Sequence, residues 1–173
     1  MIELSSSSSE QFEPSAEATI PTVGVNLSHV DLSQIGTQTQ TLSLDVREIG
    51  AAMASRWDAY LPDCSALLFV VDASDVGALA SAFVLLYEVL THAHHVANKP
   101  AAVLLNKLDL VGDAAAALPT VSNVLRLDDL RRAFPRLHIL AGSAVDRLRG
   151  CAAECVKTWL LGEQLSPATA TTT

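Results

Sequence analysis

Two short apolar runs, each ended by a polar side chain, constrain the fold of this chain most strongly. The first spans residues 66–71 and is followed by Asp72; the second spans residues 101–105 and is followed by Asn106. Continuous apolar runs of this length predict strands that are buried on both faces of a sheet. A helix is predicted between them over residues 76–96, because apolar side chains recur there with helical spacing.

The rest of the patterned sequence extends this alternation. An antiparallel pair is predicted over residues 24–32 and 38–46, joined across residues 33–36. Beyond the second buried strand, the pattern predicts a helix over 121–134, a strand over 137–140 and a helix over 145–161. Strands that alternate with helices predict an α/β fold with a mainly parallel sheet flanked by helices. Ligands of such sheets bind at the carboxyl ends of the strands.

The two ends of the chain differ from this middle part. Residues 1–19 carry an unbroken serine run, and residues 164–173 are rich in threonine and alanine. Neither segment has helical or strand periodicity, so both are predicted to be disordered tails. The sequence therefore predicts one folded domain over residues 20–163.

Composition excludes several classes of protein. Apolar residues make up 50% of the 173 residues, which excludes disorder of the whole chain. The net charge is −8 and the 11 basic residues are scattered, so nucleic acids and anionic membrane surfaces are unexpected partners. The three cysteines follow no secretory signal, which favours a reducing cytoplasmic or nuclear location.

Membrane attachment is also unexpected. The longest nearly apolar stretch, residues 78–87, is well short of a transmembrane span. Position 2 is Ile2 and not glycine, so N-myristoylation is not expected for this start.

The second buried strand is followed directly by Asn106-Lys107-Leu108-Asp109. Asn-Lys-x-Asp in this position is the guanine-recognition motif of GTPases. A carboxylate can accept hydrogen bonds from the N1 and N2 hydrogens of guanine, and adenine supplies no such pair of donors. Asn106, Lys107 and Asp109 are therefore candidate nucleotide-binding residues; the alternative is an ordinary polar loop after a strand.

Further motifs in the same order resemble the ADP-ribosylation factor (Arf) family of small GTPases. Ile20-Pro21-Thr22-Val23-Gly24 at the start of the first strand is similar to the family's switch I. Residues 68–75, Leu-Phe-Val-Val-Asp-Ala-Ser-Asp, are similar to its fourth strand and the loop after it. Trp57, Tyr60 and Trp159 stand where the family has its switch II aromatics and the tryptophan of its last helix. The resemblance covers about residues 20–162.

The resemblance implies a function and a set of site residues. It implies a switch that binds GTP or GDP with Mg²⁺, acts through effector and regulator proteins, and controls intracellular or ciliary membrane traffic. It assigns guanine contacts after the last strand and phosphate or metal contacts in the two switches. The residues implied are Ser143 and Ala144 near guanine O6, Thr22 and Gly24 in switch I, Glu48, Gly50 and Ala51 in switch II, and Thr22 and Glu48 for the metal.

The largest departure from the family is the phosphate-binding loop. The three lysines follow Asn98, Asn106 and Val156, so no Gly-x-x-x-x-Gly-Lys-Ser/Thr motif is present. We expect the domain to lack the family's first strand, phosphate loop and first helix, which would split the sheet and leave two hydrophobic edges. A truncated gene model or alternative start is the favoured explanation, and a genuine pseudo-GTPase is the other.

Switch II departs as well. The family pattern Asp-x-Gly-Gly-Gln is here Glu48-Ile49-Gly50-Ala51-Ala52. Ala52 replaces the glutamine that orients the attacking water, so no catalytic residue is predicted and intrinsic hydrolysis should be very slow or absent. Two functions therefore stay open: a GTP-binding switch, and an interaction module of small-GTPase shape that binds no nucleotide.

Two remaining clusters have simpler explanations. His92, His94 and His95 lie at a predicted helix end, where a favourable interaction with the helix dipole is expected rather than a metal. Cys151 and Cys155 are four residues apart on the last helix and are expected to be buried as small apolar side chains.

Overall fold

Three parallel strands form the main sheet of the computed structural model, which describes residues 21–31, 43–92, 99–145 and 152–165. Their order is β3 (Leu67–Asp72), β4 (Ala101–Asn106) and β5 (Leu137–Ala141), with β4 in the middle. β4 is buried from Ala101 to Leu105, as its continuous apolar sequence predicts. The parallel sheet and its flanking helices confirm the predicted α/β class.

Within the described ranges, four α-helices connect and cover these strands. They are α1 (Leu79–His92), α2 (Ala114–Val124), α3 (Leu127–Ala133) and α4 (Ala152–Leu165). In α1 the predicted apolar stripe is found, since Leu79, Leu86 and Leu90 are all buried. These residues pack with the odd-numbered side chains of β4 in the main hydrophobic core.

The single helix predicted over residues 121–134 is wrong. α2 begins earlier, because the Asp113 carboxylate caps it by accepting a hydrogen bond from the Ala116 amide at 3.1 Å. Pro119 lies inside α2, and α2 ends before Arg126, which has a left-handed backbone (φ 49°). That conformation interrupts the α-helix, so α3 begins as a separate element at Leu127.

The antiparallel pair forms a second sheet of its own. β1 (Val25–Asp31) pairs with β2 (Ser43–Ile49), and Val25 lies opposite Ile49. β2 extends to Ile49, three residues beyond the end of the predicted strand over residues 38–46. The far end of this hairpin contacts the main body where Leu161 of α4 packs against Val30 and Leu44.

One strand is less buried than its sequence predicts. The side chains of Leu68 and Val70 in β3 are 37% and 54% exposed, so the prediction that this strand is buried on both faces is wrong. In the described part of the chain, β3 pairs with β4 and no strand lies along its other edge. The strands of the described residues therefore form two separate sheets, one of two strands and one of three.

Short 3-10 helices complete the described elements: Ala51–Ala59, Leu61–Asp63 and Leu108–Leu110. No pattern in the sequence predicted the first two. Several predictions lie outside the described residues, namely most of both tails, the turn at residues 33–36, His94, His95 and Cys151. Within the described ranges, none of the helices is both long enough and apolar enough to cross a membrane.

Candidate functional site

The loops after β4 and β5 meet at the carboxyl end of the main sheet. The Asn106 side-chain oxygen accepts a hydrogen bond from the Ala144 amide at 3.0 Å. The Ser143 hydroxyl donates to Asp109 Oδ1 at 2.6 Å. The structure thus brings together two predicted base-binding residues from one loop and two from the next.

Backbone hydrogen bonds hold the two loops in register. The Gly142 amide donates to the Leu105 carbonyl at 3.0 Å, and the Leu108 amide donates to the Gly142 carbonyl at 3.4 Å. Ser143 is 1% exposed, and its hydroxyl also accepts from the Val145 amide at 3.1 Å. A buried polar group of this kind keeps a defined position because breaking its hydrogen bonds would be costly.

Lys107 occupies an unusual backbone position between Asn106 and Asp109. Its φ of 63° and ψ of 34° are left-handed, and its carbonyl accepts from the Leu110 amide at 3.0 Å to close a tight turn. The Lys107 ammonium forms an ion pair of 2.7 Å with Asp72, which ends β3. Asp72 was not among the predicted site residues.

The arrangement fits a ligand with neighbouring N–H donors. The Asp109 carboxylate has acceptor capacity beyond the one hydrogen bond from Ser143, since an ionised carboxylate offers about four lone-pair positions. The Ala144 amide, expected near guanine O6, donates to Asn106 in this structure.

The predicted switch residues form a second cluster around Glu48 in β2. The Thr22 hydroxyl donates to Glu48 Oε1 at 2.5 Å, and the Asn26 side-chain amide donates to Glu48 Oε2 at 3.3 Å. The Gly50 amide donates to the Gly24 carbonyl at 3.0 Å. Thr22 and Gly24 of the predicted switch I segment therefore contact Glu48 and Gly50 of the predicted switch II segment.

Gly50 is required by a close backbone approach. A Cβ atom at this position would overlap the Thr22 carbonyl oxygen, so a side chain could be accepted only if the two segments moved apart. The Gly50 carbonyl accepts from Trp57 Nε1 at 3.3 Å, and the Trp57 ring packs edge-on against Phe69 of β3. Ala51 follows at the start of the 3-10 helix and is exposed.

Thr22 and Glu48 provide oxygen atoms that could bind a metal ion. The Thr22 hydroxyl and the Glu48 carboxylate lie within hydrogen-bond distance of each other, and both are the hard oxygen ligands that Mg²⁺ prefers. Across residues 21–31, 43–92, 99–145 and 152–165, no group of three or more His, Cys, Asp or Glu side chains could hold a metal ion.

An apolar cavity of about 220 Å³ lies between the loops after β3 and β4 and helix α2. Ala73 and Val76 after β3, Leu110 and Val111 after β4, and Val121 of α2 contribute to its lining. The residues that meet across the β4 and β5 loops do not line it. The cavity is therefore distinct from the candidate base site.

The fold and the loop geometry define the class: an α/β protein of small-GTPase type, with the guanine motif at the carboxyl ends of parallel strands. Comparison with known proteins gives the family. The model of the ADP-ribosylation factor family matches residues 10–160, and the chain belongs to that family. Members of the family bind GTP or GDP with Mg²⁺ and work with effector and regulator proteins.

Two curated relatives illustrate the similarity. ADP-ribosylation factor-like protein 16 of Homo sapiens is 32% identical over 112 residues, which are 65% of this chain and 51% of the relative. ADP-ribosylation factor-like protein 14 of Mus musculus is 32% identical over 101 residues, 57% of this chain and 50% of the relative. The chain spans about half the length of the curated relatives it matches.

Proposed function

We propose that this protein is an Arf-like guanine-nucleotide-binding protein that acts as a regulatory switch in intracellular or ciliary membrane traffic. It works in the cytoplasm, or in the nucleus or cilium, through effector and regulator proteins. The observation that carries this proposal is the meeting of Asn106 and Asp109 with Ser143 and Ala144 across two loops.

Base selection follows from the chemistry of Asp109. Its carboxylate accepts the N1 and N2 hydrogens of guanine, while the buried Ser143 hydroxyl fixes its orientation from behind. A base without these donors would leave the carboxylate desolvated and unpaired, at a cost of about 1–3 kcal/mol or more. Asn106 contributes by tying its loop to the Ala144 backbone.

Thr22 and Glu48 are the residues that would hold Mg²⁺. When bound, the ion supplies positive charge that neutralises nucleotide phosphates. Hydrogen bonds join Thr22 to Glu48 and Gly24 to Gly50. A ligand bound at one switch segment would therefore change the position of the other.

Hydrolysis is weak or absent in this proposal. Ala51 and Ala52 carry no polar atom in their side chains, so neither can orient a water molecule for attack on a phosphate. The sequence also contains no glycine-rich lysine loop to hold phosphates, so we expect a GTP affinity several orders of magnitude below that of an intact small GTPase.

A second candidate is an interaction module that keeps the shape and binds no nucleotide. One observation favours it: groups that would meet a ligand are already paired with each other. Thr22 donates to Glu48, and the Ala144 amide donates to Asn106. A protein selected to keep these pairs would need neither phosphate nor metal to order its loops.

Substitution of Asp109 by asparagine tests the proposal. In Asp109→Asn the new side chain would present an amide donor that repels guanine N1–H and suits the carbonyl of xanthine at the same position. We expect the affinity for GDP to fall by about 100-fold and that for xanthosine diphosphate to rise. Titration of ¹⁵N-labelled protein followed by NMR detects binding up to millimolar ligand.

Asp113→Asn is the matched control, because Asp113 caps α2 and asparagine caps helices equally well. The control should bind GDP as the unaltered protein does. Unchanged GDP affinity in Asp109→Asn would refute the base-site assignment. No binding of either nucleotide by the unaltered protein would favour the interaction module.

A further inference from the structure

A third loop, the one after β3, also reaches the candidate base site. β3 and β4 are parallel, and Asp72 lies directly opposite Asn106 in their register. The Ala73 amide donates to the Asn106 carbonyl at 3.0 Å, so the two loops are joined from their first residue. The polar end of β3 is therefore as near to the Asn-Lys-x-Asp loop as the loop after β5 is.

The Asp72 carboxylate is held by three hydrogen bonds of this loop pair. Oδ1 accepts from the Ser74 amide at 3.0 Å and from the Ser74 hydroxyl at 2.6 Å. Oδ2 lies 2.7 Å from the Lys107 ammonium. The side chains of Asp72 and Lys107 are 32% and 40% exposed, so the ion pair is partly shielded from solvent. Ser74 thus fixes the direction in which Asp72 presents its charge to Lys107.

The partner of Asp72 sits at the strained point of the motif. A left-handed conformation costs a residue with a side chain about 1–2 kcal/mol, and Lys107 adopts it between Asn106 and Asp109. This turn determines where Asp109 stands relative to Asn106. A tether on the Lys107 side chain offsets the cost of the turn and limits its alternatives.

We propose that Asp72 is a positioning residue for guanine recognition, which holds Lys107 so that the turn keeps Asp109 aimed at the base. This inference rests on the proposed function. The competing explanation is a purely structural tie between β3 and β4, which would affect folding but not the choice of base.

Inosine diphosphate separates the two explanations, because inosine keeps the N1 hydrogen of guanine and lacks its N2 amino group. A well-placed Asp109 carboxylate accepts the N2 hydrogen that only guanine has, so it makes the dissociation constant for inosine diphosphate larger than that for GDP. The ratio of the first constant to the second therefore reports how well Asp109 is placed. Asp72→Asn keeps the size of the side chain and an acceptor for Ser74 but removes the charge that holds Lys107. We expect GDP affinity to fall by about tenfold and the ratio to fall by about threefold or more.

The matched control is Asp75→Asn in the same loop. Asp75 accepts from the Ala78 amide at 3.1 Å and lies on the helix side of the loop. Both dissociation constants should stay within about twofold of the unaltered protein. Ser74→Ala provides a milder change, because it removes one of the hydrogen bonds that orient Asp72. Ser74→Ala should also lower the ratio of the two dissociation constants. It therefore provides the same test if Asp72→Asn is too unstable to study.

Each outcome is decisive when the full chain is titrated with the two nucleotides by NMR. A reduced ratio in Asp72→Asn and in Ser74→Ala supports the assignment. Equal weakening of both nucleotides, or no change in either, overturns it while leaving the proposed function intact. If the unaltered protein binds neither nucleotide, the proposed function fails and the assignment fails with it.

Discussion

Two hydrogen bonds from a hydroxyl to a carboxylate, Ser143 to Asp109 and Thr22 to Glu48, have very different surroundings. Ser143 and Asp109 meet at 2.6 Å beside the buried strand β4, and Ser143 is 1% exposed. Thr22 and Glu48 meet at 2.5 Å on the hairpin, where Glu48 is exposed. The same chemistry is supported by a hydrophobic core at the base site and by a solvated hairpin at the switches.

This difference in burial predicts that the base site is preorganised and that the hairpin with the switch residues opens more easily. The base-site loops leave strands whose side chains pack in the main core, so their polar groups keep one arrangement. The hairpin contacts the body at its far end through Leu161 and at its near end through Gly50 and Trp57. Elements with few buried contacts open at a low free-energy cost, as the proposed switch function would require.

The largest expected effect tests the core beneath the base site. Leu105 is 2% exposed and precedes Asn106, whereas Leu27 on the hairpin is 74% exposed. Leu105→Ala should lower the free energy of unfolding by about 2–5 kcal/mol, and Leu27→Ala by at most about 0.5 kcal/mol. Urea denaturation followed by circular dichroism measures both. Similar losses in the two variants would contradict the contrast between core and hairpin.

The next effect tests the near contact of the hairpin. Gly50→Ala places a methyl group where it overlaps the Thr22 carbonyl oxygen, and it should lower the free energy of unfolding by about 1–3 kcal/mol. It should also change the fluorescence of Trp57, which donates to the Gly50 carbonyl, measured with Trp159→Phe as background. Gly24→Ala is the control, because no atom lies within 4 Å of the added Cβ position. A normal Trp57 spectrum in Gly50→Ala would argue that the switch segments are not in contact.

The paired hydroxyl groups give a smaller and more direct test. Ser143→Ala removes a buried hydroxyl that donates to the half-buried Asp109 carboxylate and accepts from the Val145 amide, and it should lower the free energy of unfolding by about 1–3 kcal/mol. Thr22→Val removes the equivalent hydrogen bond to the exposed Glu48 carboxylate, where water can replace the hydroxyl. The free energy of unfolding should therefore fall by about 0.5 kcal/mol or less. Urea midpoints that fall equally in the two variants would show that burial does not distinguish the sites.

The sequence predicted those parts of the molecule that depend on local chemistry. β4 and the Asn-Lys-x-Asp motif after it could be recognised because a buried parallel strand is apolar throughout and its loop is polar. The apolar stripe of α1 could be recognised because its apolar side chains recur with helical spacing. The capped start of α2 has a local signal that the prediction missed, because Asp113 is followed by four alanines.

Other features depend on neighbours that a pattern does not contain. β3 is as apolar as β4, yet Leu68 and Val70 are exposed because their burial requires an element on that side of the sheet. The ion pair between Asp72 and Lys107 depends on the parallel register of two strands separated by a helix. The split between α2 and α3 depends on the left-handed backbone of Arg126, a residue that rarely adopts it.

The smallest expected effect is on the pH dependence of folding stability. It arises from Asp72, which lies beside the candidate base site. Partial burial raises the pKa of the Asp72 carboxyl, but hydrogen bonds from Lys107 and Ser74 and the Lys107 charge outweigh burial and bring the pKa below the ordinary 3.8. Because the folded pKa is below the unfolded one, ionised Asp72 stabilises the protein fully above about pH 5, and this contribution is lost as the pH falls through the folded pKa.

The difference in urea midpoint between the unaltered protein and Asp72→Asn should therefore be constant from pH 7 to about pH 5 and shrink below that. Asp75→Asn is the control, because it removes one acidic group from the same loop and leaves the ion pair between Asp72 and Lys107 in place. A difference that stays constant down to about pH 3 would mean that the ion pair with Lys107 does not stabilise the folded protein. The turn that carries Asp109 would then be held by its backbone alone, and the base site would owe its order to the core and to Ser143.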